Sequence, residues 1–381
     1  MENIPFNRPS LVGREFQCLE DALARGQLSG DGHFTRLCNA RIAELSGTSA
    51  ALLTHSCTAA LEMAAILCDL APGDEVIMPS FTFVSTANAV ALRGGVPVFV
   101  DIDPVTLNID PAAVAAAVTP RTRAIFAVHY AGFPADMDAL ADIATTHGLI
   151  LVEDAAQALG STYKGRPAGS LGDMAAFSFH ETKNIISGEG GALTLTRRDL
   201  AERAEIIREK GTNRSRFLRG QVDKYTWVDI GSSFLPGELV SAFLYGQLEQ
   251  EAEIRRTRLA LFDRYSEAFA GLEAQGRIVR PKASPDTTGN GHMFYLMLND
   301  IDDRDAFISH LRSHKITAPF HYVPLHSAPA GQRLARTEGD MSVTNATHAR
   351  LARLPLYYTL GDSIERVIDI SLAWLGANSK G

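Results

Sequence analysis

The chain has 381 residues, a formal net charge of −8 at neutral pH, and a composition that is 46% hydrophobic and 21% charged. This is ordinary globular composition, and the length favours two domains over one. The acidic balance argues against a nucleic-acid-binding protein. The apolar runs are far too short to span a bilayer, so we expect no contact with a membrane.

The four cysteines give no sign of a metal or redox site. Cys18, Cys38, Cys57 and Cys68 form no CxxC pair, and no histidine cluster has metal-ligand spacing. The first residues lack a basic start followed by an apolar run, so no secretory signal is expected. These features predict a reduced, cytoplasmic protein without a bound metal.

Short β-rich segments alternate with helical patterns through the first two thirds of the chain. The predicted strands cover residues 75–79, 97–101, 124–129, 149–154, 175–180 and 192–196. Between them, residues 136–147 repeat apolar side chains at helical spacing, and Gly148 follows as a cap. Apolar strands separated by helices indicate a mostly parallel sheet covered on both faces. The last two strands are joined by a loop, which allows an antiparallel pair.

The final third has a different pattern. A long helical pattern starts near Leu239, followed by a loop at 281–286, a β-rich segment, and a helix predicted over 304–313. We therefore predict a large α/β domain over residues 1–245 and a smaller α+β domain over 246–381.

The segment Thr54-His55-Ser56-Cys57-Thr58 opens a helix that is predicted over residues 58–70. Ser56 or Thr58 can cap this helix. The free N–H groups and the dipole at its start favour an anion, such as a phosphate. The alternative is a capped helix with no ligand.

Asp154 ends the predicted strand 149–154 and is followed closely by Gln157. Ligands of open α/β sheets bind outside the carboxyl ends of the strands. An acid there can hold a protonated ring nitrogen, as proteins that use pyridoxal phosphate (PLP) require. Asp154 could equally cap the next helix.

A lysine, Lys183, lies between an apolar strand and a glycine-rich stretch. The strand at 175–180 carries Ser178 and His180, and Lys183 follows before the glycine-rich residues 187–191. A lone loop lysine is usually solvated. The surrounding apolar strands and glycines favour instead a buried amine with a lowered pKa, which is the condition for Schiff-base chemistry.

An aromatic side chain follows the first predicted strand. Either Phe81 or Phe83 could stack on a flat cofactor at the carboxyl end of that strand, and packing in the core is the alternative.

Taken together, the stretches VEDAAQ, FSFHETKN and GEGG, with IPFNRP and HYVPLH towards the two ends, resemble the DegT/DnrJ/EryC1/StrS family of sugar aminotransferases. The resemblance covers essentially the whole chain. It implies the type I (aspartate aminotransferase-like) PLP-dependent α/β fold, with a large, mostly parallel sheet domain and a smaller C-terminal α+β domain. Within the family, the chain most resembles the TDP-4-oxo-6-deoxy-D-glucose 4-aminotransferases of the common-antigen type.

The resemblance implies a role for each motif residue. Lys183 is the catalytic Schiff-base lysine, and Asp154 is the catalytic acid that faces the pyridine nitrogen. The other implied cofactor contacts are Ser56, Cys57, Thr58 and Ser178 at the phosphate, Gln157 near the ring hydroxyl, and Phe83 on the ring face. Ser233 stands where many members place an asparagine that reaches into the neighbouring subunit, and a serine has a shorter reach.

The resemblance also implies the reaction and the partners. The expected amino donor is L-glutamate, and the amino group passes through pyridoxamine phosphate to C4 of TDP-4-oxo-6-deoxy-D-glucose, in the galacto or the gluco configuration. A homodimer with shared active sites is expected. Related sugar dehydrases carry histidine in place of Lys183, which favours transamination here.

The basic loop 208–224 could clamp the diphosphate of a sugar nucleotide, or be a solvated charged loop. The substrate-binding candidates are His180, Lys210, Arg214, Arg219, His321, Tyr322 and His326. A different nucleotide-linked keto sugar and a non-catalytic homologue are the alternatives considered for the function. A dinucleotide-dependent enzyme would need a GxGxxG motif, which does not follow the early strands.

Overall fold

The computed structural model describes residues 2–377. Its helices are α1 (Glu15–Arg25), α2 (His33–Ser46), α3 (Cys57–Leu67), α4 (Val84–Ala91), α5 (Pro111–Ala117), α6 (Met137–His147), α7 (Ala201–Arg208), α8 (Arg214–Leu218), α9 (Glu238–Leu248), α10 (Glu251–Ala274), α11 (Ile301–Ser313), α12 (Pro329–Leu334), α13 (Ser342–Arg350) and α14 (Ser363–Ala377). None of these helices is both long enough and apolar enough to cross a membrane.

The strands are β1 (Ala50–Thr54), β2 (Glu75–Pro79), β3 (Val96–Val100), β4 (Thr122–Val128), β5 (Ile150–Asp154), β6 (Thr162–Tyr163), β7 (Arg166–Pro167), β8 (Met174–Ser178), β9 (Gly191–Leu195), β10 (Thr287–Thr288), β11 (Phe294–Met297), β12 (Arg336–Thr337) and β13 (Leu351–Leu354). Eight of them form a central sheet in the order β1-β9-β8-β5-β4-β2-β3-β12. All six predicted strands are present. β1 was not predicted, because its residues were interpreted only as the approach to the following helix.

The central sheet is mostly parallel, as predicted. Strands β12, β3, β2, β4, β5 and β8 run parallel to one another, while β9 is antiparallel to both β8 and β1. The predicted antiparallel pairing of the last two strands is therefore confirmed. With this topology, β4, β5 and β8 end at the same edge of the sheet.

Helices cover both faces of the sheet, which explains why its strands are apolar on both sides. In β2, Val76 and Met78 join the hydrophobic cluster beneath α3. Ile77, between them, points to the opposite face and packs with Val114 of α5 and Leu140 of α6. Successive side chains of a strand point to opposite faces, so a strand buried in this way carries a continuous apolar run.

The long helical pattern predicted from near Leu239 is helical in the structure, but it is interrupted once. The structure has two helices, α9 and α10, which are separated at residues 249–250. Leu248 before the break and Ile254 after it pack in the same cluster on the sheet, while Tyr265 and Phe269 further along α10 pack in the core of the smaller unit. Because of the break, residues 238–274 contribute side chains both to the cluster on the sheet and to the core of the smaller unit.

Two other helix boundaries also differ from the prediction. The helix predicted over 58–70 is α3, which begins one residue earlier and ends at Leu67. The helix predicted over 304–313 begins at Ile301, because Asp300 accepts a hydrogen bond from the N–H of Asp303 and caps it there.

The smaller unit is built around the antiparallel pair β11 and β13, with Phe294 opposite Leu354. The pair packs with α10, α11 and α14 in one hydrophobic cluster. Ile4, near the start of the chain, also packs there and pairs with Ile316. This is the expected α+β unit, and the division at residues 245/246 stays a prediction.

A buried carboxylate from α9 caps α2. The residue before α2 is Gly32, which has no side chain to accept a hydrogen bond. Glu238 fills this role, since its carboxylate accepts the N–H groups of Gly32, Phe34 and Thr35 at 3.0, 2.7 and 3.0 Å. The first N–H groups of a helix have no partner within the helix, and its dipole favours a negative charge at this end. Glu238 therefore holds α2 and α9 together.

We expect Glu238→Ala to destabilise the protein by at least about 3 kcal/mol, because three buried N–H groups lose their acceptor. Unfolding in urea, followed by circular dichroism, measures this loss. Glu249→Ala is the matched control. Glu249 lies just beyond α9 and forms a surface ion pair with Arg14, so its removal should cost less than about 1 kcal/mol. Equal losses in the two variants would contradict the capping role.

Candidate active site

A cavity of about 790 Å³ lies at the carboxyl ends of the central strands. The large sheet supplies one wall and the smaller unit supplies the other. Among its lining residues are Ser56, Cys57, Thr58, Phe83, Asp154, Gln157, Ser178, His180 and Lys183 from the sheet side, and Arg258, His292, His321, Tyr322 and Arg353 from the other side. The fold therefore brings together every cofactor residue expected from the sequence except Ser233.

The start of α3 provides the anion-binding part of the cavity. Ser56 is the N-cap residue, and its hydroxyl accepts the N–H of Ala59 at 3.1 Å. The Thr58 hydroxyl bonds the hydroxyl of Ser85 at 2.7 Å. Free N–H groups at a helix start, together with the nearby hydroxyl of Ser178, suit a phosphate group.

Gly191 of β9 allows the chain to approach the start of α3 closely. A Cβ atom at this position would lie 2.3 Å from the carbonyl carbon of Ser56 and 2.4 Å from the nitrogen of Cys57. No side chain fits in that space. The glycine-rich GEGG stretch therefore has a packing role directly behind the anion-binding residues.

Asp154, at the end of β5, is a buried carboxylate without a salt bridge to any residue in the range 2–377. It accepts hydrogen bonds from the Thr86 hydroxyl at 2.7 Å and the N–H of Ala156 at 3.3 Å. Burial raises the pKa of Asp154, while these hydrogen bonds and the charge of Lys183 act in the opposite direction. A protonated ring nitrogen placed beside it would stabilise the carboxylate. The site thus fits the pyridine ring of PLP.

Lys183 lies on the turn after β8 and lines the same cavity. Burial lowers the pKa of its amine, with the negative forms of Cys57 and Asp154 opposing the effect. A lowered pKa makes the neutral, nucleophilic amine available at a lower pH than in an exposed lysine. The predicted buried lysine is therefore present at this position.

The turn that carries Lys183 is held from several directions. Within the turn, Ser187 and Glu181 donate backbone hydrogen bonds to the carbonyls of Phe179 and Gly188 at 2.7 and 2.9 Å. From outside, the amide of Asn7 donates to the carbonyl of Glu181 at 2.9 Å. This contact gives the IPFNRP stretch a structural role, because it ties the start of the chain to the lysine turn.

Gln157 connects the two walls of the cavity. Its side-chain oxygen accepts the N–H of Ala131 at 2.8 Å, and its nitrogen donates to the Tyr322 hydroxyl at 3.0 Å. Ala131 has a left-handed backbone with φ of 56°. These contacts fix the orientation of the Gln157 amide against the smaller unit.

The structure separates the two aromatic candidates. Phe81 is 1% exposed and packs in the core. Phe83 is the residue just before α4, is 57% exposed, and lines the cavity with its ring centroid 6.5 Å from that of Tyr322. An exposed aromatic ring beside a cavity suits a flat ligand, so Phe83 is the aromatic that can face a cofactor.

The HYVPLH segment reaches the cavity with two of its three candidate residues. His321 and Tyr322 line it, and their ring centroids are 3.6 Å apart. Burial lowers the pKa of His321, and its Nδ1 is hydrogen-bonded to the Tyr130 hydroxyl at 2.8 Å. His326 is absent from the lining because it bonds the hydroxyl of Ser80 at 2.7 Å. A substrate role for His326 stays a prediction.

The basic loop and Ser233 lie outside the cavity of their own chain. Lys210 and Arg214 reach the carboxylate of Glu209 at 3.7 and 2.7 Å, and Arg219 reaches that of Glu205 at 2.8 Å. Ser233 is exposed. Their assigned contacts with a ligand would need the neighbouring subunit and remain predictions.

Several lining residues were not identified from the sequence. Arg258 of α10 is buried, donates to the carbonyls of Gly291 and His292, and has its pKa lowered to about 9 by burial. Arg353 is a charged residue in the otherwise apolar strand β13, and this pattern was a usable signal. Within residues 2–377, no group of three or more His, Cys, Asp and Glu side chains could hold a metal ion.

Comparison with known proteins agrees with this geometry. The model of the DegT/DnrJ/EryC1/StrS aminotransferase family matches residues 9–371. The spore coat polysaccharide biosynthesis protein SpsC of Bacillus subtilis (strain 168) is 34% identical over 388 residues, covering 96% of this chain and 97% of SpsC.

Solved structures show the same fold. DesV of S. venezuelae is 33% identical, with a TM-score of 0.89 and coverage of 98% of this chain and 99% of DesV. Spr1654 of Streptococcus pneumoniae was solved in its PMP (pyridoxamine phosphate) form and its PLP form. Both structures are 26% identical to this chain. The PMP form has a TM-score of 0.90 and covers 98% of this chain and 100% of Spr1654. The PLP form has a TM-score of 0.89 and covers 99% of each chain.

We expect Gly191→Ala to weaken PLP binding by roughly tenfold or more, because the added methyl group must displace the start of α3 at a cost of about 1–3 kcal/mol. Titration of the apoprotein with PLP, followed by absorbance, measures the affinity. Gly271→Ala is the control, since a Cβ atom at this helical position meets open space, and it should leave PLP affinity unchanged. An unaltered affinity in a folded Gly191→Ala protein would show that this close approach does not shape the phosphate site.

Proposed function

Because the chain belongs to the DegT/DnrJ/EryC1/StrS aminotransferase family of PLP-dependent enzymes, we propose that it transfers an amino group from L-glutamate to C4 of TDP-4-oxo-6-deoxy-D-glucose. The product would be TDP-4-amino-4,6-dideoxy-D-galactose or its gluco epimer. The observation that carries the proposed chemistry is a buried carboxylate, Asp154, and a buried amine, Lys183, on the wall of one cavity.

Different lining residues would contact different parts of the cofactor. Ser56, Thr58 and Ser178, with the N–H groups of α3, would hold the phosphate of PLP. Asp154 would keep the ring nitrogen protonated, and Phe83 would pack on the ring. When bound, PLP supplies an electron sink that stabilises negative charge at the substrate carbon.

Lys183 would hold the cofactor covalently and would also move the proton. With its pKa lowered by burial, the amine can accept a proton from the reacting carbon of the donor and return one to the sugar carbon. The face from which Lys183 delivers that proton decides whether the new amine is axial or equatorial. Since this residue is a lysine, and Ser56, Asp154, Gln157 and Ser178 line the same cavity, the alternative of a non-catalytic homologue is disfavoured.

Exposed apolar side chains support a homodimer. Trp227, Tyr225 and Val228 are 78%, 53% and 51% exposed and directly follow the basic loop 208–224. Clusters of large exposed apolar residues commonly mark protein interfaces. In a dimer with shared sites, this segment would bring Lys210, Arg214, Arg219 and Ser233 to the neighbour's cavity, where the arginines would bind the diphosphate of the nucleotide sugar. We propose a cytoplasmic enzyme of this kind.

The direct test is incubation of the purified protein with PLP, L-glutamate and TDP-4-oxo-6-deoxy-D-glucose, followed by proton NMR of the product. We expect a new amine at C4, and the ring-proton couplings give its configuration. Lys183→Ala should give no product while retaining the fold. If the wild-type protein forms pyridoxamine phosphate from glutamate but leaves this sugar unchanged, the substrate is another nucleotide-linked keto sugar. If glutamate itself does not react, the proposed donor is wrong.

We expect Asp154→Asn to slow the half-reaction with L-glutamate by about 100-fold or more, or about 3 kcal/mol, because the amide cannot stabilise a protonated ring nitrogen. Stopped-flow absorbance of the PLP-loaded protein measures the rate. Thr86→Val is the matched control, because it removes a hydrogen bond to Asp154 but keeps the charge, and its loss should be much smaller. A wild-type rate in Asp154→Asn would remove the role assigned to this acid.

A further inference from the structure

A short segment of the smaller unit, residues 290–292, contacts the turn that carries Lys183. This bridging segment consists of Asn290, Gly291 and His292 and lies just before β11. The side chain of Asn184, the residue after Lys183, donates through Nδ2 to the carbonyl of Asn290 at 3.0 Å. Its Oδ1 atom lies 3.0 Å from Nδ1 of His292. Both polar atoms of the Asn184 amide are therefore bonded to the bridging segment.

The hydrogen-bond pattern fixes the position of the proton on the His292 ring. A backbone carbonyl can only accept, so the Asn184 nitrogen must face the carbonyl of Asn290 and the Asn184 oxygen must face His292. Burial lowers the pKa of His292, and neighbouring cations add to this effect. The neutral ring has one proton, which is on Nδ1 and is donated to Asn184.

The bridging segment also bonds the turn that follows Asp154. Asn290 is 2% exposed, and its side-chain nitrogen donates to the carbonyls of Gln157 and Leu159, both at 2.9 Å. Its side-chain oxygen accepts the N–H of His292 at 3.0 Å. The segment therefore joins the turn after the buried acid to the turn that carries the buried amine.

Arg258 holds the bridging segment from α10. Its Nε atom donates to the carbonyl of Gly291 at 3.1 Å, and its Nη2 atom donates to that of His292 at 2.8 Å. A Cβ atom at Gly291, where φ is 66°, would lie 2.8 Å from the carbonyl carbon of Arg258. All three carbonyl groups of the segment are thus bonded, two to Arg258 and one to Asn184. A segment fixed in this way can hold another group in place.

We propose that Asn184, held by the bridging segment, is a positioning residue for Lys183. This inference rests on the proposed function, in which Lys183 bonds the cofactor and moves the proton. Because Asn184 directly follows Lys183, a fixed Asn184 side chain restricts the backbone of the lysine and the directions in which its amine can extend. A displacement of about 1 Å in a reacting group can slow a reaction by about 100-fold, so this restriction affects the rate.

The first test follows the bond between Lys183 and PLP in protein that starts without cofactor. In this step the amine nitrogen bonds the aldehyde carbon of PLP, and the aldehyde oxygen leaves as water. We expect Asn184→Ala to slow the step by about 10- to 100-fold, because the amine is no longer held in position to reach the aldehyde. Stopped-flow absorbance measures the rate. Asn299→Ala is the matched control, since Asn299 bonds Asp303 on the surface, and it should react like wild type.

Variants without the lysine separate positioning from general damage to the cavity. Lys183→Ala and the double variant Lys183→Ala/Asn184→Ala should bind PLP noncovalently with affinities within about twofold of each other, because the proposed phosphate and ring contacts are the same in both. Equilibrium dialysis measures these affinities. Binding that is about tenfold weaker in the double variant would show that Asn184 shapes the cavity as a whole, and would overturn the positioning role.

Substitutions of His292 test the hydrogen bond to Asn184. His292→Phe keeps a ring but removes the donor, so it should slow bond formation with PLP as much as Asn184→Ala does. His292→Asn can place its amide nitrogen where Nδ1 lies, and it should recover most of the wild-type rate. Equal losses in the two variants of His292 would overturn the inference that this hydrogen bond positions the lysine.

The half-reactions of the loaded enzyme give a second readout. Asn184→Ala should lower kcat in both half-reactions by a similar factor and leave both KM values within about threefold of wild type, since one amine moves both protons. A loss confined to the KM of one substrate would overturn the positioning role and assign Asn184 to the binding of that substrate.

The outcomes separate this inference from the proposed function. Bond formation between Lys183 and PLP needs neither L-glutamate nor the keto sugar, so a wrong donor or sugar leaves this test intact. A wild-type rate of bond formation in Asn184→Ala would overturn the positioning role while leaving the aminotransferase in place. A wild-type protein whose Lys183 forms no bond with PLP would contradict the proposed function itself.

Discussion

The parallel pairing of β5 with β8 is the constraint on which the rest of the site depends. Asp154 ends β5 opposite Ala176 of β8, and the chain leaves β8 directly into the turn that carries Lys183. Parallel neighbours end at the same edge of a sheet, so an acid and an amine distant in sequence become close in space. Both lie where water is largely excluded, and burial shifts the pKa of each towards its neutral form.

The backbone segments that carry the site residues are held in place by close contacts with other parts of the chain. Gly191 of β9 packs directly against Ser56 and Cys57, where no Cβ atom fits. Asn7 ties the first residues of the chain to the lysine turn. The motifs that define the family are in this sense partly structural, because they hold the backbone of the cofactor residues in place as well as supplying the side chains.

The smaller unit completes the cavity through a few polar contacts. Gln157 bonds Tyr322, and Tyr130 bonds His321, so that two hydrogen bonds cross between the walls at 3.0 and 2.8 Å. The smaller unit also contributes Arg258 and Arg353 to the lining of the cavity. The sheet side therefore carries the groups suited to a cofactor, while the opposite wall carries groups suited to a substrate, which is a natural division for a site that would accept two different substrates in turn.

The sequence by itself determined the fold class, the six predicted strands, the family and most of the residues that line the sheet side of the cavity. It could do so because buried parallel strands leave a clear apolar pattern and because Asp154, Lys183 and the glycines stand in short, recognisable motifs. Tertiary structure alone decided the break between α9 and α10, the capping of α2 by Glu238, and the position of Arg353. Each of these depends on contacts between residues far apart in the chain, such as Arg353 with Phe6, and local patterns carry no information about which distant groups will meet.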